Sequence, residues 1–201
     1  MGFRIYKQNQ KIESLDKAEL SDKTEITTEE FVSGENKVVI TKTSSGLSQE
    51  GDVEIDTENT YLRFTGFGPG KEHVGTFDSM KSEIYFNEGA VSSGNIIIET
   101  SSVNTGIDNL DSHLKTGDFL ESETYPQIKF NLNNVVVSDE DQSAVANGEV
   151  EIKGITKNIS IPLTLLANGF SVDFLLDMEQ FEISYTGVNK EVQIEAQVIW
   201  K

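Results

Sequence analysis

From Val53 to the C terminus, apolar and polar residues alternate in run after run, and this period of two restricts most of the chain to β-structure. In the run Thr60 to Phe67, Leu62 and Phe64 alternate with Tyr61, Arg63 and Thr65. Met80, Ile84 and Phe86 share a parity opposed to Ser79, Lys81 and Glu83. Ile96 and Ile98 fall together, with Ile97 as an extra apolar residue on the other side. Ile128, Phe130 and Leu132 alternate with Lys129, Asn131 and Asn133, and Val150 and Ile152 with Glu149, Glu151 and Lys153. Ile159, Ile161, Leu163 and Leu165 form a further set, followed by Phe170, Val172, Phe174 and Leu176. The last run sets Val192, Ile194, Ala196, Val198 and Trp200 against Gln193, Glu195 and Gln197. Successive side chains of a strand point to opposite faces, so these runs predict antiparallel sheet with one apolar and one solvated face. About eight such strands at short spacing predict a sandwich or a barrel.

Three features favour the barrel. The strands are long, the connections such as Gly68-Pro69-Gly70 are short, and one helix is available to lie across an opening. That helix belongs to Val103 to Phe130, the one long interval beyond residue 52 without a strand pattern. Ile107, Leu110, Leu114 and Phe119 approximate helical spacing, and Asp108 and Asp111 suit the positive first turns. Gly117 is expected to stop the helix, and Tyr125-Pro126 to force an extended entry into the next strand. Pro162, inside ISIPLTL, predicts an edge, a bulge or a parting between strands. A cylinder of about eight strands either fills with its own side chains or holds one slender ligand.

Residues 1 to about 34 are polar and lack a wide apolar face, which reads as a linker or stalk in preference to a small packed helix. Asn36 to Thr41 (NKVVIT) reads as a strand and GLSQEGD as a turn, giving an N-terminal segment at 1–51 and a barrel at 52–201. Gly154 to Lys157 is read as a turn, and SDEDQS at 138–143 as a solvated loop without the glycine and glutamate of a calcium-binding EF loop. The formal net charge of −18 repels phosphate backbones and anionic headgroups, which argues against nucleic acid and direct bilayer docking. Absence of cysteine removes disulfides, thiolate metal sites and cysteine catalysis. No apolar run is long enough to span a bilayer and no signal-peptide pattern opens the chain. Met1-Gly2 admits a start added to a longer natural chain, which would leave a signal or membrane anchor upstream.

The residues around the helix carry a family pattern. Thr105-Gly106 is followed by Asp111, by His113-Leu114-Lys115, by Asp118-Phe119, and by Tyr125-Pro126 leading through Gln127, Ile128 and Lys129 to Phe130. Gly148 to Leu163 (GEVEIKGITKNISIPL), the upstream set Lys71, His73, Gly75 and Phe77, and Phe181 to Val188 (FEISYTGV) continue it in order. Over roughly residues 52 to 201 the chain resembles the YceI-like family of polyisoprenoid-binding, lipocalin-like proteins, with Leu120 where a second phenylalanine is common. The resemblance implies an all-β, antiparallel eight-stranded barrel with one short helix inserted between strands. It also implies a lipid-filled pore, a bacterial protein and a periplasmic or cell-surface location.

A polyisoprenoid tail has no hydrogen-bonding capacity, so its recognition needs an apolar tube. The expected wall is Phe64, Met80, Ile84, Ile96, Ile98, Phe130, Leu132, Ile161, Leu163, Phe174, Leu176 and Ile194. Alternation alone fits a filled core equally well, because both need the same inward apolar face; the resemblance points to the occupied pore. His73, Asp111, His113 and Lys115 are the polar candidates for a headgroup or pore mouth, although hydrogen bonding that seats the helix is the other role open to the histidines. Asp111-Ser112-His113 has the letters of a triad, but neighbouring helical residues point apart. His73 and His113 lack paired metal-ligand spacing. The expectation is therefore non-catalytic binding of an isoprenoid lipid or quinone, with no metal and no cofactor beyond that ligand. The competing reading is a structural or adhesive module with a filled barrel. Association of two chains stays open.

Overall fold

Strands form where the sequence alternates, and the computed structural model describes them over residues 19–22, 51–52, 56, 58–87, 90–138 and 143–201. Two short N-terminal pieces, β1 (Glu19–Asp22) and β2 (Gly51–Asp52), precede β3 (Tyr61–Gly68), β4 (Lys71–Phe77), β5 (Met80–Asn87), β6 (Ala90–Glu99) and β7 (Val103–Asn104). Helix α1 (Asp108–Leu114) follows, then β8 (Gln127–Val137), β9 (Ala144–Ile152), β10 (Ile155–Leu166), β11 (Gly169–Asp177) and β12 (Glu191–Ile199). The fold is all-β: antiparallel pairings link the strands in the order β2-β5-β6-β8-β9-β10-β11-β12-β3-β4-β7, with β1 added beside β10. The sheet curls so that one face turns inward beneath the helix.

The strand count departs from the expected eight. Ten segments, β3 to β12, lie beyond residue 60, because two long strands bend and break. The first bend, at Asp78-Ser79, separates β4 from β5; a 3-10 turn at Thr100–Ser102 separates β6 from β7. Hydrogen bonds carry the ladder across both interruptions: Asp78 N donates to Ser102 O at 3.0 Å and Glu99 N to Ser79 O at 3.0 Å. Thr100, almost fully buried, fixes the bend from the other side by donating its hydroxyl to Tyr125 O at 2.9 Å.

Pro162 marks a parting. It pairs with Val145 of β9, but on the opposite edge β10 meets β11 only over Thr164–Leu166. Earlier in the strand that edge carries β1, with Leu20 opposite Ile159. A proline has no N–H to donate, which suits a position where the ladder changes partners. The strand β1 therefore lies within the segment read as linker, and Gly51-Asp52, read as turn, pairs with Phe86 and Tyr85. The expected strand at 36–41 lies outside the described residues.

Two expected turns shift. The β9–β10 hairpin turns at Lys153-Gly154, both at positive φ (51° and 74°), so β10 already begins at Ile155. Two central residues of that conformation match the twist of the flanking strands. A Cβ on Gly154 would come within 2.7 Å of the Tyr125 ring, so the glycine also accepts that close packing. Helix α1 ends at Leu114, with Lys115 still right-handed; Gly117 is not at positive φ, and Glu121 (φ 48°) makes the left-handed step instead. Lys153 Nζ reaches back to Gly117 O at 2.7 Å and binds the helix exit to the hairpin.

The inward face carries the main core, including Val150, Ile152, Ile159, Phe174 and Leu176, with Phe181 completely buried behind it. The outward face is not solvated everywhere. Thr65, Gln193 and Leu175 stand abreast on β3, β12 and β11, and all three are buried. Gln193 Nε2 donates to Asp173 Oδ1 at 2.7 Å, which keeps this outward polar residue paired on one side.

Candidate functional site

The inward parity of the strands does not close on itself. It surrounds a cavity of about 300 Å³, at the lower end of the volumes that hold small ligands. Register explains the wall. Phe174, Ile194 and Phe64 stand in one row across β11, β12 and β3, and the row ends at Gly75 of β4. A Cβ on Gly75 would sit 2.3 Å from Phe64 Cζ, so the missing side chain is what lets that ring lie against β4. Phe77 packs beside it, ring centroids 5.6 Å apart.

Of the twelve expected wall residues, Phe64, Ile96, Ile98, Phe130, Leu132, Ile161, Leu163, Phe174, Leu176 and Ile194 line this cavity. Met80 and Ile84 do not. Both belong to β5, past the bend at Asp78-Ser79, and Ile84 is instead buried against Gly94 of the neighbouring strand. Sequence parity could not reveal that bend, since alternation continues through it.

Helix α1 and its exit cover one end. Leu110, Leu114, Phe119 and Leu120 face the cavity. Ile107, first in the expected apolar series, is exposed, which the helix start at Asp108 explains. His113, Phe119 and Tyr185 form a three-ring cluster, with His113 edge-on to Phe119 (5.0 Å) and to Tyr185 (5.1 Å). The imidazole Nε2 of His113 lies 3.0 Å from Asp118 Oδ2. That pairing seats the helix exit.

Of the four polar candidates, only His73 reaches the cavity wall; Asp111, His113 and Lys115 do not line it. Asp111 closes the entry to α1 instead, Oδ1 accepting from Thr105 N at 2.7 Å and from Thr105 Oγ1 at 2.5 Å. The Thr105 hydroxyl above all, then the Thr105 N–H and the charge of Lys115, hold the Asp111 carboxyl below its ordinary value against the opposing effect of burial. A carboxyl whose folded pKa is depressed stabilises above its unfolded pKa and loses that contribution as pH falls through the folded value. The Thr105 amide proton is therefore expected to shift on acidification below the ordinary carboxylate range, as the tie opens. An NMR titration checks this, and Asp111→Asn should remove the transition.

Other residues were not among the expected site residues, although Ser184, Tyr185 and Val188 stand in the FEISYTGV motif. Ser184, Tyr185, Val188 and Asn189, in the loop between β11 and β12, contribute to the wall at the helix end. Loops carry no periodicity, and only the three-dimensional return of this loop puts it there: Asn189 N donates to Phe67 O at 2.8 Å, and Gly187 packs near Pro69. Among the described residues no group of three or more histidine, cysteine or carboxylate side chains is placed to hold a metal ion. No described helix is long and apolar enough to cross a membrane.

Comparison with known proteins places these observations. The family model of the YceI-like domain matches residues 53–199. Protein YceI of Escherichia coli is 29% identical over 134 residues, spanning 63% of this chain and 68% of its own. A UPF0312 protein of Vibrio campbellii is 24% identical over 162 residues, covering 73% of this chain and 85% of its own. Among solved structures, BcnA of Burkholderia cenocepacia superposes with a TM-score of 0.66 at 18% identity, over 73% of this chain and 99% of its own. A polyisoprenoid binding domain from Saccharophagus degradans does so with a TM-score of 0.59 at 14% identity, over 76% and 99%. At these identities the structural likeness speaks for the fold.

Proposed function

This chain belongs to the YceI-like family, and we propose that it is a non-catalytic carrier or store for a long isoprenoid lipid, held by its tail inside the curled sheet. The observation that supports this most is the cavity itself: it runs under the helix between strands, and among the described residues no Asp, Glu, Lys or Arg lines it. The ten expected wall residues that line it would contact the tail. Burying roughly a few hundred Å² of tail at about 25 cal/mol per Å² yields on the order of 10 kcal/mol gross. Ordering the flexible chain offsets a good part of this, which leaves affinity near micromolar or better. In this reading the bent strands count as one strand each, the sheet closes as an eight-stranded barrel, and selectivity rests on bore and length. The binding of polyisoprenoid by the Saccharophagus degradans domain, named for that property, agrees with the same ligand class here. A periplasmic or cell-surface location is the setting we assign to such a carrier.

Native mass spectrometry of the purified protein, with organic extraction of the same sample, is the test. A co-purifying prenyl lipid at near-stoichiometric amount is the expected result. Protein free of lipid, and unable to take up an added one, would instead favour a structural or adhesive module. Metal analysis of that sample addresses an enzymatic alternative.

A further inference from the structure

Pro162 divides β10 into two lengths with different neighbours on one edge. Beyond it, Thr164, Leu165 and Leu166 pair with Ser171, Phe170 and Gly169 of β11. Before it, Lys157–Ser160 pairs with β1 on that same edge, Asn158 opposite Ser21 and Ile159 opposite Leu20. β11 runs on without β10. It pairs with β12 along its whole length, Gly169 to Asp177, but among the described residues it meets β10 only from Gly169 to Ser171. The wall around the cavity is thus parted along one line, where no backbone ladder joins β10 to β11.

Side chains close this parting. Ile159, Ile161 and Leu163 on one side and Val172, Phe174 and Leu176 on the other all line the cavity. Ile159, Ile161, Phe174 and Leu176 are buried in one apolar cluster, against which Leu163 and Val172 pack. Apolar contacts are non-directional, so a hydrocarbon chain sliding between the two rows replaces the contacts it displaces. A hydrogen-bonded ladder offers no such exchange, because its N–H and C=O groups would be left unpaired against the hydrocarbon.

The helix end is bound more firmly. Lys153 Nζ donates to Gly117 O at 2.7 Å, Asp111 Oδ1 accepts from Thr105 N at 2.7 Å, and His113 Nε2 lies 3.0 Å from Asp118 Oδ2. Moving α1 aside would break these polar ties. By contrast, β1 is four residues long and, among the described residues, pairs with β10 alone. A short strand held on one edge belongs to the low-stability end of a fold and opens before the strands laddered on both edges.

Resting on the carrier reading above, we propose that the lipid tail enters and leaves sideways, through the parting between β10 and β11, and that β1 is the strap that closes it. Departure of β1 uncovers the route, and its return holds the tail in place.

Retinol, an isoprenoid alcohol that accepts energy from tryptophan, serves as the probe. Trp200 is the one tryptophan of the chain and lies against Phe170 of the cavity wall, ring centroids 6.4 Å apart, so its emission reports uptake and release. The chain has no cysteine, and directly opposed strand residues come near disulfide reach. Ser21→Cys with Asn158→Cys therefore clips β1 to β10 in the full-length protein. Oxidised, this variant is expected to exchange retinol at least about tenfold more slowly than the same protein in reductant, at similar affinity. A control clip between two strands already laddered, Asn131→Cys with Glu149→Cys, should leave the rate unchanged on oxidation. Leu20→Pro with Ser21→Pro should speed exchange by about threefold or more, because adjacent strand residues face opposite edges and one of the two prolines must remove a pairing N–H. Equal rates in the oxidised and reduced clip, or failure of that disulfide to form, overturns the strap while the carrier reading stands; the tail then enters at the helix end. Slowing by both clips alike overturns it as well, since that reports general stiffening. Wild-type protein that takes up neither retinol nor farnesol overturns the carrier reading and this inference with it.

Discussion

Ala196→Phe is expected to abolish lipid retention while the protein stays folded. Ala196 lines the cavity between Val172 on β11 and Leu62 on β3, its partners across the two flanking ladders. A phenyl ring there projects into space that the wild-type side chains leave open, and it is apolar, so it needs no partner. The usual penalty for enlarging a core residue, about 1–3 kcal/mol, arises from displaced neighbours and is reduced where a void receives the added atoms. Extracted lipid should fall by more than about tenfold, with the melting temperature within a few degrees of wild type. Val136→Phe provides the control. Val136 is adjacent to the inward Val135 but exposed on the outer face, so the same added bulk should leave retention unchanged. A filled Ala196 variant that retains lipid at the wild-type level would show that the tail does not pass this level.

Phe181→Ala is expected to cause a large loss of stability. Phe181 closes the 3-10 turn Met178–Phe181, has no solvent exposure, and belongs to the main core without lining the cavity. Removing a fully buried phenyl group costs about 3–5 kcal/mol. For a chain of this size each kcal/mol lowers the melting temperature by roughly 2–4 °C, so a drop of about 10 °C is expected in calorimetry. The turn around it is well tied: the Asp177 side chain accepts from Glu179 N, and Lys190 Nζ lies 2.9 Å from Asp177. The backbone thus has little freedom to collapse into the space vacated by the ring. A loss under about 1 kcal/mol would contradict the core position assigned to Phe181.

Much of the wall was legible because a strand's parity fixes its face. Phe130 and Leu132, or Phe174 and Leu176, had to point the same way, and one apolar face had to turn inward. The bend at Asp78-Ser79 was not legible, and it took Met80 and Ile84 out of the wall that parity assigned them. Gln193 shows the complementary limit. Its parity is outward, and the sequence reading gave it to solvent, yet it is only 2% exposed. Parity determines a direction but says nothing of what lies in that direction. At the mouth, Asp111 and His113 were found because they stand in a motif, but their partners Thr105 and Asp118 turn both to holding the helix. Tyr185 was quoted within a motif and Asn189 was not, yet neither was assigned to the wall, because a loop's position depends on its anchors.

The change of partners along β10 has a consequence for how this protein can be handled. Along one edge, residues Lys157–Ser160 pair with Glu19–Asp22, which lie far outside the matched domain. A version trimmed to residues 53–199 would keep every wall residue but leave that short edge bare. An uncovered edge is a template for any extended peptide, and a second trimmed copy supplies an identical one. Self-association of such a fragment would then report the trimming, with no bearing on how the intact chain assembles.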